Sequence, residues 1–80
     1  MFHVYILQSM VDQRYYVGTT SQSVEQRLRE HNESRAFHTR KFIPWKIVWF
    51  CSFREQKKAM AFEKYLKTGS GYAFSRKRLI

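Results

Sequence analysis

Cys51 is the only cysteine in a chain of 80 residues. That single position removes an internal disulfide and a cysteine-built zinc cluster together. A chain this short buries a small core and needs another source of stability. Aromatic packing is the source left, because 44% of the residues are hydrophobic and 18% are aromatic. With 3 glycines and 1 proline, breakers are few and most of the chain should be regular structure. One domain over residues 1–80 is the expectation. A lone thiol suits a reducing compartment. Met1–Leu7 lacks the basic start of a signal peptide, and no apolar run is long enough for a membrane span. These features point to a cytoplasmic chain with no membrane segment.

The pattern of side chains divides the chain into alternating elements. Residues 3–8 and 15–20 are rich in β-branched and aromatic side chains and read as two strands of a hairpin. Ser21 or Ser23 can cap a helix running over about 23–33. Residues 34–44 hold Pro44 and several basic residues, as a surface loop would. The apolar run 45–53 reads as a central strand buried on both faces, with Trp45, Trp49 and Cys51 on one side of it. A second helix is expected over 55–67, closed by Gly69 just past its end, and residues 71–79 can make a short last helix. The order β-β-α-β-α(-α) is an α+β layer architecture.

Both long helices break their own pattern inward. At about 3.6 residues per turn, Val24, Arg27, Leu28 and His31 share one face of the first helix. Glu25, Gln26, Arg29, Glu30 and Glu33 take the other. On the second helix, Glu63 falls within the stripe of Ala59, Phe62 and Leu66. A carboxylate facing a core needs a cation or a metal. Two readings are open: an internal ion pair between Arg27 and Glu63, or a site where cation and anion meet at the sheet surface. Tyr5, Tyr15 and Tyr16 lie on the hairpin strands. As packing residues they need no further role, but a hydroxyl facing such a site can move a proton.

Charge names a partner class. Lys and Arg number 15 against 6 Asp and Glu, a formal net charge of +9. That balance favours an anionic partner, nucleic acid before a membrane surface. Arg35, Arg40 and Lys41 in the loop, Lys67 on the second helix, and Arg76, Lys77 and Arg78 at the end are candidate backbone contacts. Tyr72 and Phe74 either stack on bases or pack the last helix. His3, His31 and His38 lack the mutual spacing of a zinc site.

The triplets His3-Val4-Tyr5 and Tyr16-Val17-Gly18 resemble the two halves of the GIY-YIG nuclease signature. Arg27, His31 and Glu63 follow in the order of that family. The run Phe62–Gly71 resembles its small stand-alone bacterial members. The resemblance implies a three-stranded antiparallel sheet flanked by helices, and an endonuclease that hydrolyses DNA phosphodiesters using Mg²⁺ or Mn²⁺. It implies that Glu63 holds the metal and Arg27 binds the scissile phosphate. It also implies that Tyr5 activates the attacking water, Tyr16 assists, and His31 contacts phosphate or joins the proton relay. Repair or recombination is the setting it suggests. Residues alone do not separate DNA from RNA. The sequence departs from the pattern at His3, which replaces the first glycine. It departs again at Thr19, where excision-repair members carry Lys, and at Ser75, where several nucleases place Asn. Nothing in the chain supplies a separate base-reading element, so low sequence specificity is expected. The alternatives are a non-catalytic nucleic-acid-binding module on the same fold, and a nuclease-site subunit of a larger complex.

Overall fold

A strand that alternates large apolar side chains on both faces has to be covered from both sides. In a computed structural model describing residues 1–80, that strand is β1 (Phe2–Ser9). It is followed by β2 (Tyr15–Thr20), α1 (Val24–Asn32), a short 3₁₀ turn at Arg40–Phe42, β3 (Trp45–Phe53), α2 (Gln56–Leu66) and α3 (Gly69–Arg78). The sheet is antiparallel with order β2-β1-β3. The α+β architecture and the element order are as expected. The central strand is not β3 but β1. Val4, Tyr5, Ile6 and Leu7 are all buried in sequence, whereas β3, after the buried Trp45, holds only exposed and half-buried positions along an edge.

The two faces of β1 have different occupants. Val4 and Ile6 pack with Ala59 and Leu66 of α2, forming the apolar core. Tyr5, on the opposite face by strand alternation, meets His31 of α1. The helices α1 and α2 therefore cover opposite faces of the sheet. Register carries this division into β3. Trp49 pairs with Ile6 and Cys51 with Val4, on the α2 face, but Ile47 pairs with Leu7 and Trp45 with Ser9. The shift lies between Ile6 and Leu7, so Val48 is the extra residue of a β-bulge. The expectation that Trp45, Trp49 and Cys51 share a side is corrected by this bulge. Trp45 turns to the α1 face, against Tyr16 and Phe42. Trp49 turns to the α2 face, against Phe62.

Local chemistry explains the helix boundaries. Ser23 caps α1, its side chain accepting from the Gln26 N–H at 3.1 Å. At the other end the Asn32 amide reads the backbone of Trp45 like a strand partner: Trp45 N–H donates to Oδ1 at 2.7 Å, and Nδ2 donates to the Trp45 carbonyl at 3.1 Å. Gly69 does not close α2, as expected, but opens α3. Thr68 caps α3 instead, accepting from the Gly71 N–H at 3.1 Å and donating to the Tyr65 carbonyl at 2.6 Å. The corner between α2 and α3 is so tight that a Cβ at Gly71 would overlap the Tyr65 carbonyl and come within 2.7 Å of Leu66 Cα.

Candidate active site

The α1 face of the sheet holds a polar cluster in an aromatic layer. Tyr5 and His31 are buried, at 1% and 0% exposure. The ring of Tyr16 closes over both, with centroids 6.5 Å from Tyr5 and 5.2 Å from His31. Tyr5 comes from β1, Tyr16 from β2 and His31 from the inward face of α1, so three elements fix one cluster. Gly18 makes room for it. The Tyr5 ring lies across Gly18, where a Cβ would stand 2.5 Å from the hydroxyl oxygen. Gly18 does not have positive φ; its requirement is space, not backbone freedom.

A hydrogen-bonded chain runs through the cluster. Tyr5 Oη is 3.0 Å from His31 Nε2, and His31 Nδ1 is 2.6 Å from Thr39 Oγ1. Thr39 donates onward to the Ala36 carbonyl at 3.4 Å. With a neutral imidazole, one ordering satisfies every link: Nδ1–H donates to Thr39, and Nε2 accepts the Tyr5 proton. The backbone carbonyl of Thr39 in turn accepts from Trp45 Nε1 at 2.8 Å. Burial favours neutral groups. It pushes the Tyr5 hydroxyl up to about 12, although the neighbouring Arg27 guanidinium pulls the other way. It also pushes His31 down to about 4, with the Arg27 charge adding to the fall.

Arg27 and Glu63 do not pair with each other, because α1 and α2 lie on opposite faces of the sheet. Arg27 Nη1 donates to Glu30 Oε1 at 2.8 Å. Burial works against its charge, but the hydrogen bond to Glu30 and the neighbouring Tyr5 oxygen hold the guanidinium above its ordinary value. Glu30, expected on the outer side of α1, folds back to make this pair and is held below the usual carboxylate range by it. Glu63 approaches the β2 edge from the α2 side. Its Oε1 accepts from Thr19 Oγ1 at 3.4 Å and its Oε2 from Lys67 Nζ at 2.9 Å. It is close enough to Tyr5 for its charge to add to the rise there. Thr19 therefore contacts the carboxylate. Ser75 turns into its own helix, donating to the Tyr72 carbonyl at 2.8 Å. No three His, Cys, Asp or Glu side chains converge as a metal cage.

The expected basic contacts spread over the surface. Arg35 pairs with Glu33 at 3.3 Å, and Arg40 lies 4.5 Å over the ring of Phe37. Lys41, Lys77 and Arg78 are exposed. Lys67 is engaged by Glu63, and Arg76 stands beside Tyr72 and Tyr15. Sequence reasoning missed two participants. Glu30 had a signal, since it lies three residues after Arg27 on a helix. Thr39 had none, because its place depends on how the loop after α1 folds back.

Comparison with known proteins identifies the family. Residues 1–75 match the GIY-YIG catalytic domain family. No curated protein and no solved structure matches the chain. No helix is long and apolar enough to cross a membrane. The matched span takes in both tyrosine triplets, Arg27, His31, Glu63 and the whole sheet, so the chain belongs to the GIY-YIG nuclease family.

Proposed function

We propose that this chain is a divalent-metal-dependent endonuclease that hydrolyses DNA phosphodiesters with low sequence specificity. The observation that carries the reading is the Tyr5–His31–Thr39 hydrogen-bonded chain beside Arg27, with Glu63 at the adjoining strand edge. A lone carboxylate fits Mg²⁺ or Mn²⁺, which bind through one or two carboxylates and complete their shells with water and substrate phosphate. Glu63 would hold that ion, which would supply Lewis-acid stabilisation of the charge that builds in the transition state.

The other roles belong to this chain's own side chains. Arg27, aligned by Glu30, binds the scissile phosphate and stabilises its added charge. Tyr5 takes the proton of the attacking water as its own proton passes to His31 Nε2. The hydroxide so formed attacks phosphorus, the opposite P–O ester bond breaks with its electron pair on the leaving oxygen, and that oxygen takes a proton from solvent while His31 later returns its own. At rest, burial sets both Tyr5 and His31 against ionisation. The negative charge of a bound phosphate favours the protonated form of His31, so the transfer is drawn forward when substrate is present. Tyr16, half-buried over the pair, orients the water. Arg35, Arg40, Lys41, Lys67, Arg76, Lys77 and Arg78 contact the backbone, which carries affinity rather than sequence information. A protein partner supplying specificity, and a setting in repair or recombination, fit the same chemistry.

The test is nicking of labelled DNA with Mg²⁺ or Mn²⁺ and with chelator, wild type beside Glu63→Gln. Metal-dependent cleavage that disappears in the variant is expected. Undiminished cleavage by the variant overturns the role of Glu63. A second reading, a non-catalytic binding module, is favoured by the engagement of Glu63 with Lys67. It requires equal, salt-sensitive DNA binding by both proteins with no product.

A further inference from the structure

On the α2 side of the sheet, a groove of about 690 Å³ runs between the β1–β2 turn and the α2–α3 corner. Its size is in the range of small-ligand pockets, about 300–1,000 Å³. Tyr15 and Tyr72 contribute aromatic surface to it, and Tyr72 is 52% exposed. Arg76 stands between them, its guanidinium carbon 5.8 Å from one ring centre and 5.6 Å from the other. Its hydrogen-bond partner is the Tyr72 hydroxyl, at 2.6 Å, and not a carboxylate. The acidic residue of the groove, Asp12, is neutralised by Arg14 at 2.7 Å. Lys67, the partner of Glu63, lines the same groove and joins it to the candidate site. At Gly69, also in the lining, a Cβ would meet nothing within 4 Å.

The exposed Tyr72 ring and the half-buried Tyr15 ring, beside a held guanidinium with no carboxylate partner, are the parts of a stacking platform for a base and its phosphate. We propose that this groove binds one unpaired nucleobase of a DNA strand whose backbone continues toward Glu63. The base stacks on Tyr72 and Tyr15, and Arg76 takes the adjoining phosphate. This inference rests on the reading of the chain as a DNA-cleaving domain, but it concerns binding alone.

The test uses the full chain without divalent metal. Labelled DNA carries 2-aminopurine either inside a continuous duplex or as one unpaired base in the same duplex. Tighter binding of the unpaired form by about fivefold or more is expected, with quenching of the 2-aminopurine. Tyr72→Leu removes the stacking surface. Gly69→Leu fills the groove from an open position that tolerates a side chain, so it carries the test should Tyr72→Leu lose its helical circular dichroism. Each variant should bring the ratio of affinities toward one. A ratio of one in the wild type, or a preference that survives in both folded variants, overturns the proposal. Loss of cleavage with the preference intact counts against the proposed hydrolysis only. Cleavage with a ratio of one counts against the groove only.

Discussion

The most sensitive position in the site is Gly18, and the cost of filling it can be worked from the contacts. In Gly18→Ala the new methyl would lie 2.5 Å from Tyr5 Oη, 2.6 Å from Cζ and 2.9 Å from Cε1. Carbon contacts settle near about 3.5–4.0 Å, so the ring must withdraw by about 1 Å. Tyr5 is buried against Tyr16 and His31, and overpacking of this kind costs about 1–3 kcal/mol. The same displacement breaks the 3.0 Å bond to His31 Nε2. Leaving a buried acceptor unpaired adds about 1–3 kcal/mol. Replacing glycine constrains the unfolded chain and returns only about 0.4–1 kcal/mol. The net loss, about 1–5.5 kcal/mol, is a large part of what a domain of this size possesses. Tyr5→Phe supplies the control, since it deletes the nearest atom and the bond together. In that background Gly18→Ala should cost at least about 1 kcal/mol less than in the wild type. Urea denaturation followed by far-ultraviolet circular dichroism on the four proteins of the cycle measures this. Additive costs within about 0.5 kcal/mol would refute the claim that Gly18 exists to admit the Tyr5 hydroxyl.

Four further outcomes are expected. His31 binds its proton less readily folded, near 4, than unfolded, near 6.5. Stability should therefore be full above about pH 6.5 and fall by up to about 3 kcal/mol as pH drops toward 4. Chemical denaturation against pH reads this slope, and His31→Gln should flatten it. Gly71→Ala drives a methyl into the α2–α3 corner and should cost about 1–3 kcal/mol or prevent folding. Gly69→Ala, two residues away in open space, should raise the thermal midpoint slightly. Lys67→Met removes the cation engaged with Glu63 and should lower the Mg²⁺ concentration for half-maximal cleavage about threefold, since exposed pairs are worth at most about 1 kcal/mol. A titration of nicking rate against Mg²⁺ that leaves the midpoint unmoved contradicts this.

What could be read in advance was local. The hairpin strands, the Ser23 cap and the inward turn of Arg27 and His31 follow from composition and helical period. Pairing order and register did not, because they depend on residues far apart in the chain. The run 45–53 is more apolar than 3–8, yet it takes an edge while β1 takes the centre. The Val48 bulge has no signature in an uninterrupted apolar run. For the same reason Arg27 and Glu63 were an apparent pair. Both point inward from their helices, but the inward directions of two helices on opposite faces of a sheet converge on opposite sides of it. Thr39 became legible only once its loop brought it to His31.

That bulge also divides the intrinsic fluorescence of the molecule. The chain has 2 tryptophans, and the extra residue between them directs one indole to each side of the sheet. Trp45 donates to the carbonyl of the residue that holds His31, while Trp49 lies among the phenylalanines beneath α2. With either one replaced by Phe, the remaining emission watches one layer. A ligand entering beside Tyr16 should shift the Trp45 spectrum and leave that of Trp49 still, so the two layers can be followed independently in the same small protein.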